Sequence, residues 1–374
     1  MLRTLDLFSG VGGITYALRG LAAPVMYCEK DPDCHKVLGK LMRQGKLPRA
    51  PIHPDVSKLT PSTIPGKIDM IVAGFPCIGF SSSGKRQGLD QPDSRLFLQV
   101  MRLARELRPP LMFFENVDAI LTDMKRVVKP IQAMGYDMYW VVLPAYAVGA
   151  PQKRKRWFCL AVRAGVKDVV LRSSAVPRFN WKTEPRVRMV PQATPTVRAR
   201  NRMMGNAVVP DCVRAAFLSL WTGCSTPIPK LLASNGESLR LSPPKPLGPV
   251  RASAKYACAL RASQRWQAIP EPPGMLPRPQ LKLMLEPRAF VSKKPANDAA
   301  TSGLVKAPVS VDMWSTPRAG NATYAMNVLT KRGMRDLGSQ LRFERKTPAA
   351  QRKGVTNPEF CEWLMGFQQG WTSF

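Results

Sequence analysis

The stretch that most limits the fold of this chain is Ile68-Asp-Met-Ile-Val-Ala-Gly-Phe-Pro-Cys77, an apolar run cut short by a glycine and a proline. Ile68 to Ala73 reads as a buried parallel strand, since strands covered on both faces lose the polar alternation of exposed ones. Gly74 and Pro76 end it, because glycine permits a tight approach and proline has no N–H for the ladder. Cys77 is thereby set at the carboxyl end of a strand, the rim on which open α/β sheets bind their ligands. The continuation Ile78-Gly-Phe-Ser-Ser-Ser-Gly84 has little side-chain bulk. A thiol on such a rim is a candidate nucleophile, but a buried structural thiol is the commoner fate of a free cysteine. This stretch alone does not separate the two.

The same grammar recurs on either side. Thr4–Phe8 runs into Ser9-Gly-Val-Gly-Gly13 and a helical Ile14–Leu21, the opening of a nucleotide-binding unit in which glycines let a cofactor approach the backbone. A second strand, Pro24–Cys28, ends in Glu29-Lys30-Asp31. An acid there can accept hydrogen bonds from ribose hydroxyls, or simply charge the start of the helix that Asp31-Pro32 announces. A third short segment ends at His53-Pro54-Asp55-Val56. Ser94–Leu107 has helical periodicity and stops at Pro109-Pro110, and Leu111–Val117 is the next strand. That strand carries Glu115 at its end, where a carboxylate is costly without a partner or a task. A helix over 119–134, a strand and turn over Tyr136–Ala147, and Gln152-Lys-Arg-Lys-Arg156 leading into the strand Trp157–Val162 follow. Strands alternating with helices imply an α/β fold with a doubly wound, mostly parallel sheet.

Beyond Val162 the periodicity fades until Gly205-Asn-Ala-Val-Val-Pro210 leads into an apolar helix, Cys212–Trp221. The chain carries a formal charge of +31, and Lys and Arg outnumber Asp and Glu in both halves. Such an excess points to a polyanionic partner, most simply nucleic acid. Prolines crowd the stretch from 225 to 300, a composition that suits an extended linker, and order is expected to return near Met313-Trp314 with a helix over Pro358–Met365. The expected division is 1–222 catalytic, 223–312 a basic, proline-rich linker, and 313–374 a C-terminal recognition segment. Because every strand motif precedes residue 163, that last segment is expected to be removable without unfolding the sheet, unless helix Pro358–Met365 packs on the sheet through Phe360, Trp363 and Leu364, when its removal would lower stability as well. Eight scattered cysteines without C-x-x-C, and only two histidines, argue against a metal site. Cys159, Cys212 and Cys361 read as core. No run reaches membrane-spanning length and no signal-peptide pattern opens the chain, so a soluble, reduced, intracellular protein is expected.

Leu5-Asp-Leu-Phe-Ser-Gly-Val-Gly-Gly13, Gly74-Phe-Pro-Cys77, Glu115-Asn-Val117, Gln152-x-Arg154-x-Arg156 and Gly205-Asn-Ala-Val-Val-Pro210, in this order, resemble the motifs of the cytosine-C5 DNA methyltransferases. The resemblance implies a Rossmann-like fold that binds S-adenosylmethionine. Phe8 would flank the adenine, Gly10 and Gly12 would make room for the amino-acid end, and Glu29 would hold the ribose. Asp55 would take the adenine amine with Val56 beside the ring, and Asn206 would lie near the methionine end. It further implies methyl transfer to a cytosine flipped out of double-stranded DNA, by a monomer without metal or membrane. Cys77 would attack C6, Glu115 would hold N3 and N4, and Arg156, with Arg154 second to it, would hold O2 and favour the thiolate.

Two departures stand out. The match to the family's ninth motif, Asn357–Phe367, lies at the C-terminus and not before Gly205–Pro210, an order similar to that of phage and viral members. Ile78 and Gln368 stand where the family often has Gln and Pro. An RNA cytosine-C5 methyltransferase on the same scaffold and a catalytically silent DNA-binding relative are the alternatives. The Cys-Phe-Thr signature of the first is not found, and intact Cys77, Glu115 and Arg156 argue against the second.

Overall fold

The computed structural model describes residues 1–76, 95–152, 154–166, 169–172, 176–223, 238–240 and 354–374. One sheet is built from β1 (Leu2–Leu7), β2 (Ala22–Cys28), β3 (Ile52–His53), β4 (Met70–Ala73), β5 (Leu111–Val117), β6 (Tyr136–Pro144) and β7 (Lys155–Arg163). Its spatial order is β3-β2-β1-β4-β5-β7-β6. All neighbours run parallel except β7, which is antiparallel to both β5 and β6. This is the doubly wound, mostly parallel sheet that the alternating pattern implies. The strand order reverses between β1 and β4, and the carboxyl ends of those strands flank the crevice where such sheets take ligands.

Successive residues of each strand feed opposite cores, as a period of two requires. Leu111 and Phe113 of β5 enter one cluster with Phe158 and Leu160 of β7. Met112 and Phe114 enter the other with Trp157 and Cys159. The first face is covered by α1 (Gly13–Ala17), α2 (Pro32–Arg43), α5 (Pro195–Asn206), α6 (Pro210–Trp221) and α7 (Pro358–Leu364). The second is covered by α3 (Arg95–Leu107) and α4 (Met124–Ala133).

Three elements differ from the sequence reading. The first helix is short, because the chain leaves α1 at Leu18 and turns through Gly20 at φ 79°. The helix expected over 119–134 opens as a 3-10 turn, Asp118–Asp123, before α4 begins. Helix α5 was not expected at all. Its signal is Thr194-Pro195: the threonine Oγ1 accepts from the Val197 N–H at 3.2 Å, and proline occupies the first turn, where its missing N–H costs nothing.

Two small ribbons join the later chain to the core. β8 (Val170–Arg172) pairs antiparallel with β10 (Ser238–Arg240), and β9 (Met189–Val190) pairs antiparallel with β11 (Val355–Thr356). Asn357 then caps α7, accepting from the Glu359 N–H at 3.1 Å and donating to the Val187 carbonyl at 2.7 Å. Phe360, Trp363, Leu364, Phe367 and Trp371 are buried in the same cluster as α6. The fully buried Glu362 accepts from Arg200 Nη2 at 2.9 Å, the Gly370 N–H at 2.6 Å and the Thr372 N–H at 2.8 Å. Residues 354–374 are therefore built into the first face of the sheet, the alternative in which the helix packs through Phe360, Trp363 and Leu364. Residues 313–353 and most of 223–312 lie outside the described residues.

Candidate active site

The glycine turn after β1 is the first part of the site. Phe8, Gly10 and Gly12 all have left-handed backbone, at φ 57°, 54° and 78°. A phenylalanine there is strained, and its ring is held against the second core. The Ser9 N–H donates to the Cys28 carbonyl at 3.2 Å, which ties the turn to β2. The Gly10 N–H donates to Glu29 Oε2 at 2.7 Å, and the Lys30 and Asp31 N–H groups each donate to Glu29 Oε1 at 2.8 Å. Glu29 thus stands between the turn and the start of α2. Nothing lies within 4 Å of the position a Cβ would take on Gly10, so that residue faces open space. Gly12 does not: its Cβ would meet Leu47 Cδ1 at 2.5 Å. On its Cβ side Gly12 makes room for the core. Beneath the turn, buried Asp6 accepts from Thr15 Oγ1 at 2.5 Å. Burial, with Glu29 pushing the same way, raises its pKa to about 7.

The next carboxylate follows β3. Asp55 accepts at Oδ1 from the Ser57 Oγ at 2.7 Å and the Ser57 N–H at 2.9 Å, and these bonds hold its pKa below the usual range. Both histidines of the chain brace these acids. His35 Nε2 contacts the Glu29 carbonyl at 2.5 Å, and His53 Nδ1 accepts from the Asp55 N–H at 3.2 Å. Val56 is buried in the second core, and its carbonyl accepts from Arg102 Nη2 at 3.0 Å. Asn206 is the last residue of α5 and is exposed. Just beyond it, Val208 packs against Gly13, where a Cβ would come within 2.7 Å of Val208 Cγ2. This places the end of α5 beside the glycine turn.

The second part of the site lies across the crevice, at the ends of β4 and β5. Phe75 is buried, 5.0 Å from Phe97 and 6.1 Å from Phe114 between ring centroids. Its carbonyl accepts from Asn116 Nδ2 at 3.0 Å, while Asn116 Oδ1 accepts from the Val117 N–H at 2.8 Å. The chain is thus fixed up to Pro76; Cys77 lies outside the described residues. In the β5–β7 ladder Glu115 faces Phe158 and Val117 faces Arg156, so Glu115 and Arg156 are diagonal neighbours on one face. Arg156 Nε lies 3.0 Å from Glu115 Oε1. A Cβ on Gly74 would come within 3.5 Å of Glu115 Oε2, which brings this carboxyl over the end of β4. Burial raises the Glu115 pKa and outweighs the opposing pull of Arg156 and Arg154.

Residues 2–199 match the family described as C-5 cytosine-specific DNA methylase. The chain belongs to that family. Membership makes it a methyltransferase and implies S-adenosylmethionine-dependent methylation of cytosine in DNA. It is similar to the Type II methyltransferase M.CviJI of Paramecium bursaria Chlorella virus IL3A, with 31% identity covering 100% of this chain and 98% of the relative. The Type II methyltransferase M.HhaI of Haemophilus parahaemolyticus is 33% identical, covering 43% of this chain and 49% of its own. Among solved structures, the Dnmt2 methyltransferase of S. pombe is 25% identical over 44% of this chain and 51% of its own, with a TM-score of 0.35, too low to add to the assignment.

Within this methylase the basic motif divides its work. Arg156 meets Glu115, whereas Arg154 is buried and donates from Nη2 to the Ala207 carbonyl. Its Nε and Nη1 have no partner among the described residues, and burial beside Arg156 lowers its pKa. The sequence reading paired the two arginines in one task; the structure aims Arg154 at the segment after α5. Gln152 Nε2 donates to the Leu364 carbonyl at 2.6 Å, so the same motif also grips α7. Asn116 and Gln152 belong to two of the motifs, and their partners, the Phe75 and Leu364 carbonyls, are what the sequence could not show. The five described cysteines, Cys28, Cys34, Cys159, Cys212 and Cys361, are buried and form no disulfide with one another, and burial pushes the thiols of Cys28, Cys34, Cys212 and Cys361 up. Cys159, Cys212 and Cys361 are core, as read. Among the described residues no His/Cys/Asp/Glu group could hold a metal ion, and no helix is long and apolar enough to cross a membrane.

Proposed function

We propose that this methylase transfers the methyl group of S-adenosylmethionine to C5 of a cytosine flipped out of double-stranded DNA, through a covalent bond between Cys77 Sγ and C6. The observation that carries the reading is the buried Glu115–Arg156 pair at the end of β5, beside the β4 end that leads into Pro76 and Cys77. The glycine turn lies on the other side of β4. A base and a methyl donor would therefore meet at the point where the strand order reverses.

Cytosine C5 is too weak a nucleophile to take a methyl group unaided. Addition of the Cys77 thiolate to C6 turns the ring into an enamine with an electron-rich C5. Glu115, whose pKa burial raises, would share a proton with N3 as C6 is attacked and accept from the N4 amino group. Arg156 fixes Glu115 through Nε and donates from Nη1 to the Lys155 carbonyl at 2.8 Å, and Nη2 would be offered to O2. Loss of the C5 proton to solvent water, return of the N3 proton to Glu115 and departure of Cys77 Sγ as the thiolate by β-elimination then restore the aromatic ring. The reacting atoms lie inside a duplex, so the base has to leave the stack.

When bound, S-adenosylmethionine supplies an electrophilic methyl group. The pocket fits it: Gly10 faces open space, and Glu29 and Asp55 stand past the adjacent strands β2 and β3. Glu29 would accept from the ribose hydroxyls and Asp55 from the adenine amine, with Val56 and Phe8 beside the ring. Asn206 would lie near the methionine end. Arg154 would steady that wall through Ala207 and add positive potential for the thiolate. Residues 1–222 and 354–374 form the catalytic unit, and target selection is assigned to the chain between them, whose basic residues suit a polyanion.

Transfer of labelled methyl groups to duplex DNA and to tRNA, with bisulfite mapping of the DNA, tests the proposal. Duplex DNA is expected to be labelled at cytosine C5 and tRNA to stay unlabelled. Cys77→Ser should lower turnover by several orders of magnitude while cofactor binding remains, since a serine alkoxide is scarce at neutral pH. Near-normal turnover by that variant would overturn the covalent route, and preferential labelling of tRNA would move the substrate to RNA.

A further inference from the structure

The last residues of the chain reach the cofactor turn from a direction that no motif announces. Trp371 is fully buried, and its Nε1–H donates to the Val11 carbonyl at 3.0 Å. Its ring packs 4.6 Å from Tyr16 of α1 and 5.0 Å from Phe367. Val11 lies between Gly10 and Gly12, both left-handed, and the Gly12 N–H donates to the Ser9 carbonyl at 2.8 Å. The peptide unit joining Val11 to Gly12 is therefore held at both ends, by Ser9 at its N–H and by Trp371 at its C=O. Glycine allows that plane to rotate where other residues would clash, so the unit keeps one orientation only while both bonds stand. Lys40 of α2 secures the tail from outside: its Nζ donates to the Gly370 carbonyl at 2.6 Å, the Trp371 carbonyl at 3.1 Å and the Ser373 Oγ at 2.9 Å.

We infer that Trp371, clamped by Lys40, is a positioning residue for S-adenosylmethionine binding: it locks the Val11–Gly12 peptide so that the turn meets the cofactor already shaped. The inference rests on the placement of the cofactor at this turn. A turn free to rotate would bind only in the fraction of time it is correctly oriented, and the apparent dissociation constant rises as that fraction falls. The effect therefore falls on cofactor affinity and not on turnover once the site is full.

The test compares full-length Trp371→Phe, Lys40→Met, Trp363→Phe and Glu29→Ala by calorimetric titration with S-adenosylmethionine, thermal melting, and separate kcat and KM on duplex DNA. Trp371→Phe keeps an aromatic ring and removes the N–H. It should weaken cofactor binding about tenfold, the scale of one lost hydrogen bond to a buried carbonyl, with kcat at saturating cofactor unchanged. Lys40→Met should move affinity in the same direction and keeps the question open should Trp371→Phe not fold. Trp363 is also a buried indole, but its Nε1 has no partner among the described residues, so its variant reports lost packing alone. The expected result is weakened cofactor binding in Trp371→Phe or Lys40→Met, and wild-type affinity in Trp363→Phe even where the melting temperatures fall alike. Wild-type affinity in both clamp variants, with Glu29→Ala weakened, would overturn the clamp and leave the cofactor site in place. Equal weakening in Trp363→Phe would reduce the tail to a stability element, and an unaffected Glu29→Ala would remove the cofactor site itself.

Discussion

Replacing Arg156 by leucine isolates what the guanidinium does for Glu115. The side chains are 19% and 11% exposed, so the pair is shielded from solvent and its partner's loss is felt. Breaking such a pair strands a buried carboxylate at a cost of about 3–5 kcal/mol if the charge is kept. Glu115 escapes part of that cost by taking up a proton, because burial already raises its pKa and the loss of Arg156 raises it further. A carboxyl whose folded pKa lies above its unfolded value adds stability fully below the unfolded pKa, and that stability is lost as pH climbs through the folded pKa. Between the two values the folded state holds one proton more than the unfolded state, and stability falls by about 1.4 kcal/mol per pH unit. Arg156→Leu should therefore be close to wild type around the ordinary carboxyl pKa and fall progressively behind it as pH rises above that, with the two urea midpoints diverging. Adding Glu115→Gln should abolish the divergence. Midpoints that stay parallel over this range, with Glu115 intact, would refute the claim that the pair is a buried acid held by one cation.

Glu29→Ala and Asp55→Ala should each weaken S-adenosylmethionine by about 1–3 kcal/mol, the scale of a charge-assisted hydrogen bond; unchanged calorimetric affinity in both would displace the adenosine site from β2 and β3. Asn116→Ala frees the Phe75 carbonyl at the foot of the Cys77 segment, and misplacement of a nucleophile there should lower kcat about a hundredfold with cofactor affinity retained. Equal kcat in the variant would show that the segment is positioned without it. Deleting 354–374 uncovers the partners of Phe360, Trp363, Leu364, Phe367 and Trp371 and strands Arg200 without Glu362, so the product should lack a cooperative melt and bind no cofactor. A cooperative melt would return this segment to the status of an appendage.

How far the fold was legible depended on whether its signal was local. β5 was read to the residue, because Pro109-Pro110 marks its start and the apolar run Leu111–Phe114 is buried on both faces. The acids past β2 and β3 were legible for the same reason, since each follows directly on its strand. The packing of Leu47 against Gly12 was not legible, because glycine's missing Cβ looks the same in sequence whether the space goes to a ligand or to a core side chain. The separate partners of Arg154 and Arg156 were invisible because Arg154 lies just before β7 and its partner, the Ala207 carbonyl, is far along the chain.

The displaced ninth-motif segment shows why order along the chain constrains so little here. α7 packs on α5, which ends beside the glycine turn, and Gln152 of the basic motif reaches the Leu364 carbonyl. Trp371 reaches Val11 across 360 residues of sequence. The entropy of closing a loop grows only with the logarithm of its length, so moving this segment from before Gly205–Pro210 to after it adds little more than about 1 kcal/mol. What has to be kept is the set of partners at the site: a buried capped helix, an acid for Arg200, and an indole N–H for the Val11 carbonyl. A sequence read motif by motif finds the helix and its cap, because those are local, and misses the indole, because nothing near Trp371 in the chain records what it holds.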